Sequence, residues 1–175
     1  MADHGAVRVV SQLSPAQCDK MMHLVNHCAV WNADQCLVVD VNRSSRLSLN
    51  SKGYVQIKVP TDPDHCLQVY RTPTLCQNKK VQLHQLVMWT ASLEGVHLHR
   101  SFITEASLEM SHLCGNKACA NENHLWPEPS SVNKSRNFCE VVVVVNETVL
   151  NVCRHVPRCV LTQHKRDRAL KLKWT

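Results

Sequence analysis

The stretch Ser111-His112-Leu113-Cys114, followed by Cys119, His124, Asn133 and Cys139, decides how this chain is read. Its ligand-type residues fall as C-x4-C-x4-H, with a His two residues before the first Cys and an Asn nine after the His. A second cluster follows as Cys139, Cys153, His155 and Cys159, ending in the compact C-x-H-x3-C. Thiolates and imidazoles at such short intervals are what a tetrahedral zinc ion requires. His112 and Asn133 are not needed for that job, which makes them the candidates for chemistry.

The surrounding composition fits a fold that relies on staples. The chain has 175 residues, ten cysteines and only 5% aromatics, enough for one domain with a modest core. Met1-Ala2-Asp3-His4 begins no signal peptide, and no apolar run is long enough to span a bilayer. Cysteines interleaved with His then read as metal ligands in a reducing, intracellular compartment, nuclear or cytoplasmic, rather than as disulfides. The sequons at Asn42, Asn133 and Asn146 carry no weight there. Lys and Arg exceed Asp and Glu by 20 to 14, a net charge of +6. That excess suits a polyanionic partner, and it is densest from His164 to Lys173, as a solvated tail or a phosphate-contacting one.

Local patterning predicts a mixed α+β fold with little regular structure. Ser14-Pro15 starts a helix that runs to about Val30. On it, His23 and His27 are four apart, a weak metal clamp with no further ligand in view. Cys36 to Val39 reads as a strand, Asn42 to Lys52 as a polar connector, and Gly53 to Val59 as a half-buried strand with Cys66 to Arg71 as its return. Val81 to Leu93 has helical spacing, and strands around Met110 to Leu113 lead into the metal segment. Ser130 or Ser131 caps a short helix to about Asn137, and Val141 to Val145 is predicted as a buried strand. The organisation expected is one domain: a helical segment at 1–35, a β-ribbon region with a helix at 36–100, a zinc-bound core at 101–160 and a basic tail at 161–175.

Cys114, Cys119 and His124 leave one ligand position open. Cys36 is the first choice for it, with Cys66, Cys76 and His112 as rivals. The second set, Cys139, Cys153, His155 and Cys159, is complete. A strand His and a helix Asn across a zinc-stapled turn suggest an acid–base group beside a metal ligand. An imidazole takes a proton near neutral pH, and an amide oxygen is a hard donor suited to Mg²⁺. A lone His is otherwise more often a plain structural residue.

This pattern resembles the His-Cys box homing endonucleases, a zinc-stapled branch of the ββα-metal (His-Me finger, HNH-like) nucleases. Ser111-His112-Leu113-Cys114, Asn116, Cys119, Asn121 to Leu125, Glu128, Asn133-Lys134, Arg136-Asn137, Cys139 and Cys153-x-His155-x3-Cys159 carry the resemblance. Cys36, Gly53-Tyr54 and His84-Gln85-Leu86 extend it more weakly upstream. The resemblance implies a ββα-metal core with antiparallel β-ribbons, stapled by two structural zinc ions. It implies His112 as general base and Asn133 as the protein ligand of one catalytic Mg²⁺ (or Mn²⁺). It also implies a homodimer cutting both strands of double-stranded DNA, with readers at Gln56, Lys58, Gln68 and Arg71. One departure stands out: the family carries an Arg on the Gly-Tyr strand where this chain has Gln56. Lys58 or Arg71 is then the expected substitute. The competing reading is a catalytically idle zinc module that only binds nucleic acid.

Overall fold

The computed structural model describes residues 13–60, 79–93, 108–139 and 142–172. Helix α1 spans Pro15–Cys28, opened by a capping box: the Ser14 hydroxyl accepts from the Gln17 N–H, and the Gln17 side chain accepts from the Ser14 N–H. Its buried residues Cys18, Met21, Val25 and Cys28 recur at helical spacing and enter the main core. A hairpin follows, β1 (Ala29–Trp31) with β2 (Leu37–Val39). Strands β3 (Leu47–Leu49), β4 (Val55–Lys58) and β5 (Lys80–Gln82) form an antiparallel sheet in that order. Its rows alternate, so Leu47, Ile57 and Val81 are buried against α1 and α2 (Leu83–Leu93), while Ser48, Gln56 and Gln82 face outward.

The unit that positions the candidate site comes next. Strand β6 (Leu108–His112) pairs antiparallel with β7 (Leu125–Pro129), which runs directly into α3 (Ser130–Arg136). This is a ββα arrangement. A second hairpin, β8 (Val142–Val145) with β9 (Thr148–Asn151), rises between the ligand positions of the second cluster, and α4 (Gln163–Leu172) packs on it. The class is therefore α+β with small antiparallel sheets, as the sequence indicates.

Several local expectations change. The connector over 42–52 contains β3, because Leu47 and Leu49 flank Ser48 in the alternation that matches β4; three residues are too few to stand out as a pattern. Cys66 to Arg71 lies outside the described residues, and β4 already has β3 and β5 on its two edges. The helix expected from Val81 begins at Leu83, since Val81 and Gln82 belong to β5. Neither Ser130 nor Ser131 caps α3: both are already helical, and Pro129 takes the cap position without a side-chain bond. The valine run forms a strand but not a buried one, with Val143 44% and Val145 47% exposed, because among the described residues the two-stranded sheet is covered on one side only. The basic C-terminal segment is helical over Gln163–Leu172, its first free N–H donating to the Asp34 carboxylate.

Helix α3 is clamped to the hairpin by a buried ion pair. Arg136 Nε and Nη2 each donate to Glu128 at 2.6 Å, with the two side chains 4% and 3% exposed. Removing one partner of such a pair leaves a buried charge uncompensated, at a cost of roughly 3–5 kcal/mol. Arg136→Ala is expected to lower unfolding stability by about that amount in urea titrations of the zinc-loaded protein; a decrease under about 1 kcal/mol would place the pair among the weak solvated ones.

Candidate metal-stapled nuclease site

Cys36 reaches the first cluster because β2 pairs with the loop that carries Cys119. The Val39 N–H donates to the Ala118 carbonyl, the Ala120 N–H donates to the Leu37 carbonyl, and Val38 bridges Cys119. The Asn32 carboxamide accepts from the Cys36 N–H, and Asn121 donates to the Gln35 carbonyl, which fixes the approach. Gly115, with φ +73°, supplies the left-handed turn just past Cys114. Cys36, Cys114, Cys119 and His124 are all buried, with ligand atoms within 4.8 Å of one another. His124 Nδ1 lies 3.5 Å from Cys36 Sγ and 3.6 Å from Cys119 Sγ. Tetrahedral zinc bonds put such atoms roughly 3.5–3.8 Å apart, so the donor set fits the ion.

The second cage forms from Cys139, Cys153, His155 and Cys159. Cys139 and Cys153 sulfurs are 3.3 Å apart, far beyond a disulfide bond. His155 Nδ1 lies 3.2 Å from Cys153 Sγ and 3.7 Å from Cys159 Sγ. On its other side, His155 Nε2 meets the Ser135 hydroxyl at 2.7 Å, which orients the ring. Burial pushes the Cys36 and Cys159 thiols up to about 12. Cys114 is raised as well, first by its hydrogen bond with Cys119 and then by burial. Cys153 is buried too, yet backbone N–H groups of Cys159 and His155 hold it near 6. Buried thiols of this kind ionise together when a cation binds them. The two Cys₃His sets support two structural zinc ions.

His112 stays out of the first cage. Its ring hydrogen bonds to the backbone of Cys119, and its Nε2 is one of several buried side-chain atoms without a partner among the described residues. The bond is therefore made at Nδ1, which donates to the carbonyl and leaves Nε2 as an acceptor. Burial holds the His112 pKa down to about 4, against the carbonyl bond that raises it, so the ring is neutral at pH 7. Two further rings surround it: His84 from α2 at 5.0 Å and Tyr54, just before β4, at 5.8 Å between centroids. Lys117 Nζ sits 5.1 Å from the Tyr54 ring centre.

Asn133 comes from α3, where its Nδ2 donates to Glu109 Oε2 at 3.0 Å. Glu109 and His112 are three apart on β6 and so belong to opposite faces of the strand. Tyr54 is the group common to both sides: it touches the His112 ring, and the Glu109 charge, after burial, raises its pKa.

Residues 35–171 match a family described as the zinc-binding loop region of homing endonuclease. The chain belongs to this family. Searches of curated proteins and of solved structures returned no match. Membership covers both cages and the whole ββα unit, in agreement with the resemblance read from the sequence.

The remaining expected residues fall as follows. Lys58 is exposed at the end of β4, on the outward face, and makes no ring or ion contact with His112 among the described residues. Arg71, Gln68, Cys66 and Cys76 lie outside the described residues. His23 and His27 are exposed on α1 and join no metal-type cluster among the described residues. Sequence reasoning assigned no site role to Tyr54, His84, Glu109 or Arg136. Tyr54, His84 and Arg136 stood within the segments that carry the resemblance, which was the usable signal; nothing local marked Glu109.

Zinc analysis checks the ligand sets. Cys36→Ser is expected to lower the zinc content by about one ion per chain in elemental analysis, as is Cys153→Ser at the second cage, whereas Cys66→Ser and Cys76→Ser leave it unchanged. Full zinc occupancy in Cys36→Ser would hand the fourth position to another residue.

Proposed function

We propose that the protein is a zinc-stabilised, Mg²⁺-dependent endonuclease that hydrolyses phosphodiester bonds in double-stranded DNA, with His112 as general base and Asn133 holding the Mg²⁺ (or Mn²⁺). One observation carries this reading: the His112 ring bonds to the backbone of Cys119, and its Nε2 is buried with no partner among the described residues. Leaving such an atom unbonded costs roughly 1–3 kcal/mol; His84 Nδ1 and Ser111 Oγ beside it share the condition, so the polar atoms left open cluster around this ring. It lies on the same ββα unit as Asn133, a hard-oxygen donor outside both zinc cages.

The edge of β6 away from β7 is unpaired among the described residues, so a phosphodiester lying along it is reachable from both faces of the strand. His112 Nε2 takes a proton from the attacking water, whose oxygen bonds to phosphorus as the bond to the 3′ oxygen breaks. Asn133 would hold Mg²⁺ through its amide oxygen; when bound, the ion supplies Lewis-acid neutralisation of the charge on phosphate and leaving oxygen. Lys117, beside Tyr54, adds positive charge next to the same cluster.

The outward face of β3–β4–β5 suits the nucleic acid itself. It offers a row of Ser48, Gln56 and Gln82 and a row of Lys58 opposite Lys80, and Lys80 reaches back to Ser48 at 3.1 Å. Like charges placed directly opposite each other on a sheet repel, and a phosphate backbone would relieve that. Gln side chains are suited to adenine edges. Cutting both strands calls for two such sites, hence a homodimer. The eight described cysteines are unpaired thiols, which supports a reducing compartment, nuclear or cytoplasmic.

An idle DNA-binding module is favoured by one feature, Gln56 where the family has Arg, with Lys58 exposed on the outward face. Missing a charge-stabilising donor costs about two to three orders of magnitude in rate. Plasmid cleavage in Mg²⁺ separates the readings. The unmodified chain is expected to nick or linearise, and His112→Ala and Asn133→Ala to cut about 10²–10⁴-fold more slowly while keeping two zinc ions. DNA binding by all three with cleavage by none would establish the idle module. Replacing Lys58 and Lys80 by Ala is expected to flatten the salt dependence of DNA binding by about one counterion for each phosphate that a lysine no longer neutralises; an unchanged slope would take the sheet face out of the interface.

A further inference from the structure

We propose that Glu109 is a positioning residue for the divalent cation: it holds the Asn133 amide in the one orientation that leaves Oδ1 for the metal, and it contributes a charge that no basic side chain among the described residues neutralises. This rests on Asn133 being the metal ligand.

An ionised carboxylate only accepts hydrogen bonds. With Glu109 Oε2 at 3.0 Å, the edge of Asn133 that faces it must be the NH₂. The amide oxygen then points to the other side of Cγ, away from Glu109. A carboxamide without such a partner presents either edge, and only the oxygen edge binds a cation.

The charge pattern beneath α3 is lopsided. Glu109 and Glu128 are directly opposite each other across β6 and β7, an arrangement that is repulsive by itself. Asn133 and Arg136, three apart on α3, meet one carboxylate each. Arg136 neutralises Glu128 with two bonds of 2.6 Å. Among the described residues Glu109 receives only the neutral amide, and no ion pair includes it. The ββα unit thus keeps one uncompensated, half-buried negative charge, next to the amide oxygen that would take the cation. A purely structural latch would not need a charged acceptor, since a second amide would serve.

The test uses the full, zinc-loaded chain and Mn²⁺ alone, followed by the disappearance of its free-ion electron paramagnetic resonance signal. Glu109→Ala is expected to weaken Mn²⁺ binding about 10–100-fold, the usual cost of removing a partner that orients a metal ligand. Glu109→Gln keeps an oxygen acceptor without the charge and falls between Glu109→Ala and the unmodified chain. Glu109→Lys presents a donor, turns the amide oxygen toward itself and abolishes the site as Asn133→Ala does. Zinc content and urea midpoint should hold in all four variants. In plasmid nicking, the Mg²⁺ concentration for half-maximal rate should rise by the same factor in Glu109→Ala, with the rate at saturating Mg²⁺ little changed. Mn²⁺ affinity unchanged in Glu109→Ala, but abolished in Asn133→Ala, overturns this proposal and leaves the nuclease reading intact. Glu109-dependent Mn²⁺ binding in a chain that never cuts DNA upholds the proposal and removes the nuclease. Absence of any Mn²⁺ site in the zinc-loaded, unmodified chain overturns it as well.

Discussion

Three thiols and an imidazole drawn within 4.8 Å of one another cannot be buried and ionised unless a cation neutralises them. That constraint, met twice in this chain, explains how so few regular residues hold a defined shape. The first cage ties β2 to the loop between β6 and β7, and so joins the main core to the ββα unit. Apparent zinc binding energies of about 10 kcal/mol or more exceed what three-residue strands can supply by themselves.

The second cage acts on α3. Ser135 bonds the far nitrogen of His155, while Arg136 reaches the Pro157 carbonyl at 2.9 Å and the Cys159 sulfur at 3.4 Å in addition to Glu128. Helix α3 is only seven residues long, too short to be stable through its own hydrogen bonds. Its position is imposed from both ends: by the hairpin from which it emerges, and by the zinc loop that closes over its last turn. Asn133 lies between those two anchors, so the placement of one amide depends on a metal site that shares no ligand with it.

The main core has a different role. Met21, Val25, Ile57, Val81, Leu86 and Met88 close the interior between α1, α2 and the three-stranded sheet, and Met110 and Leu125 extend it beneath the hairpin. This packing encloses His112 with His84 and Tyr54. Burial there lowers the basicity of His112 while its carbonyl partner selects the tautomer. The same desolvation that makes the ring a weaker base keeps it unprotonated at neutral pH, the form that can accept a proton.

Much of this was legible without coordinates, for a physical reason. Ligand spacing around Cys114, Cys119, His124, Cys153, His155 and Cys159 is set by how tightly a chain turns about one ion, a local property that sequence records directly. The hydroxyl cap and proline at Ser14-Pro15 and the alternation of β4 are local in the same sense. Contacts between distant segments are not. Whether Cys36, Cys66, Cys76 or His112 completes the first cage turned on β2 pairing with residues 118–120. The exposure of Val143 and Val145 turned on which face of a hairpin another element covers. The sequence by itself determined the α+β class, the second cage and three ligands of the first. Only the tertiary structure decided the hydrogen-bond partner of His112, the division of Glu109 and Glu128 between an amide and a guanidinium, and the rings that pack around the imidazole. Those depend on which side chains desolvate one another, and no spacing rule along a chain contains that.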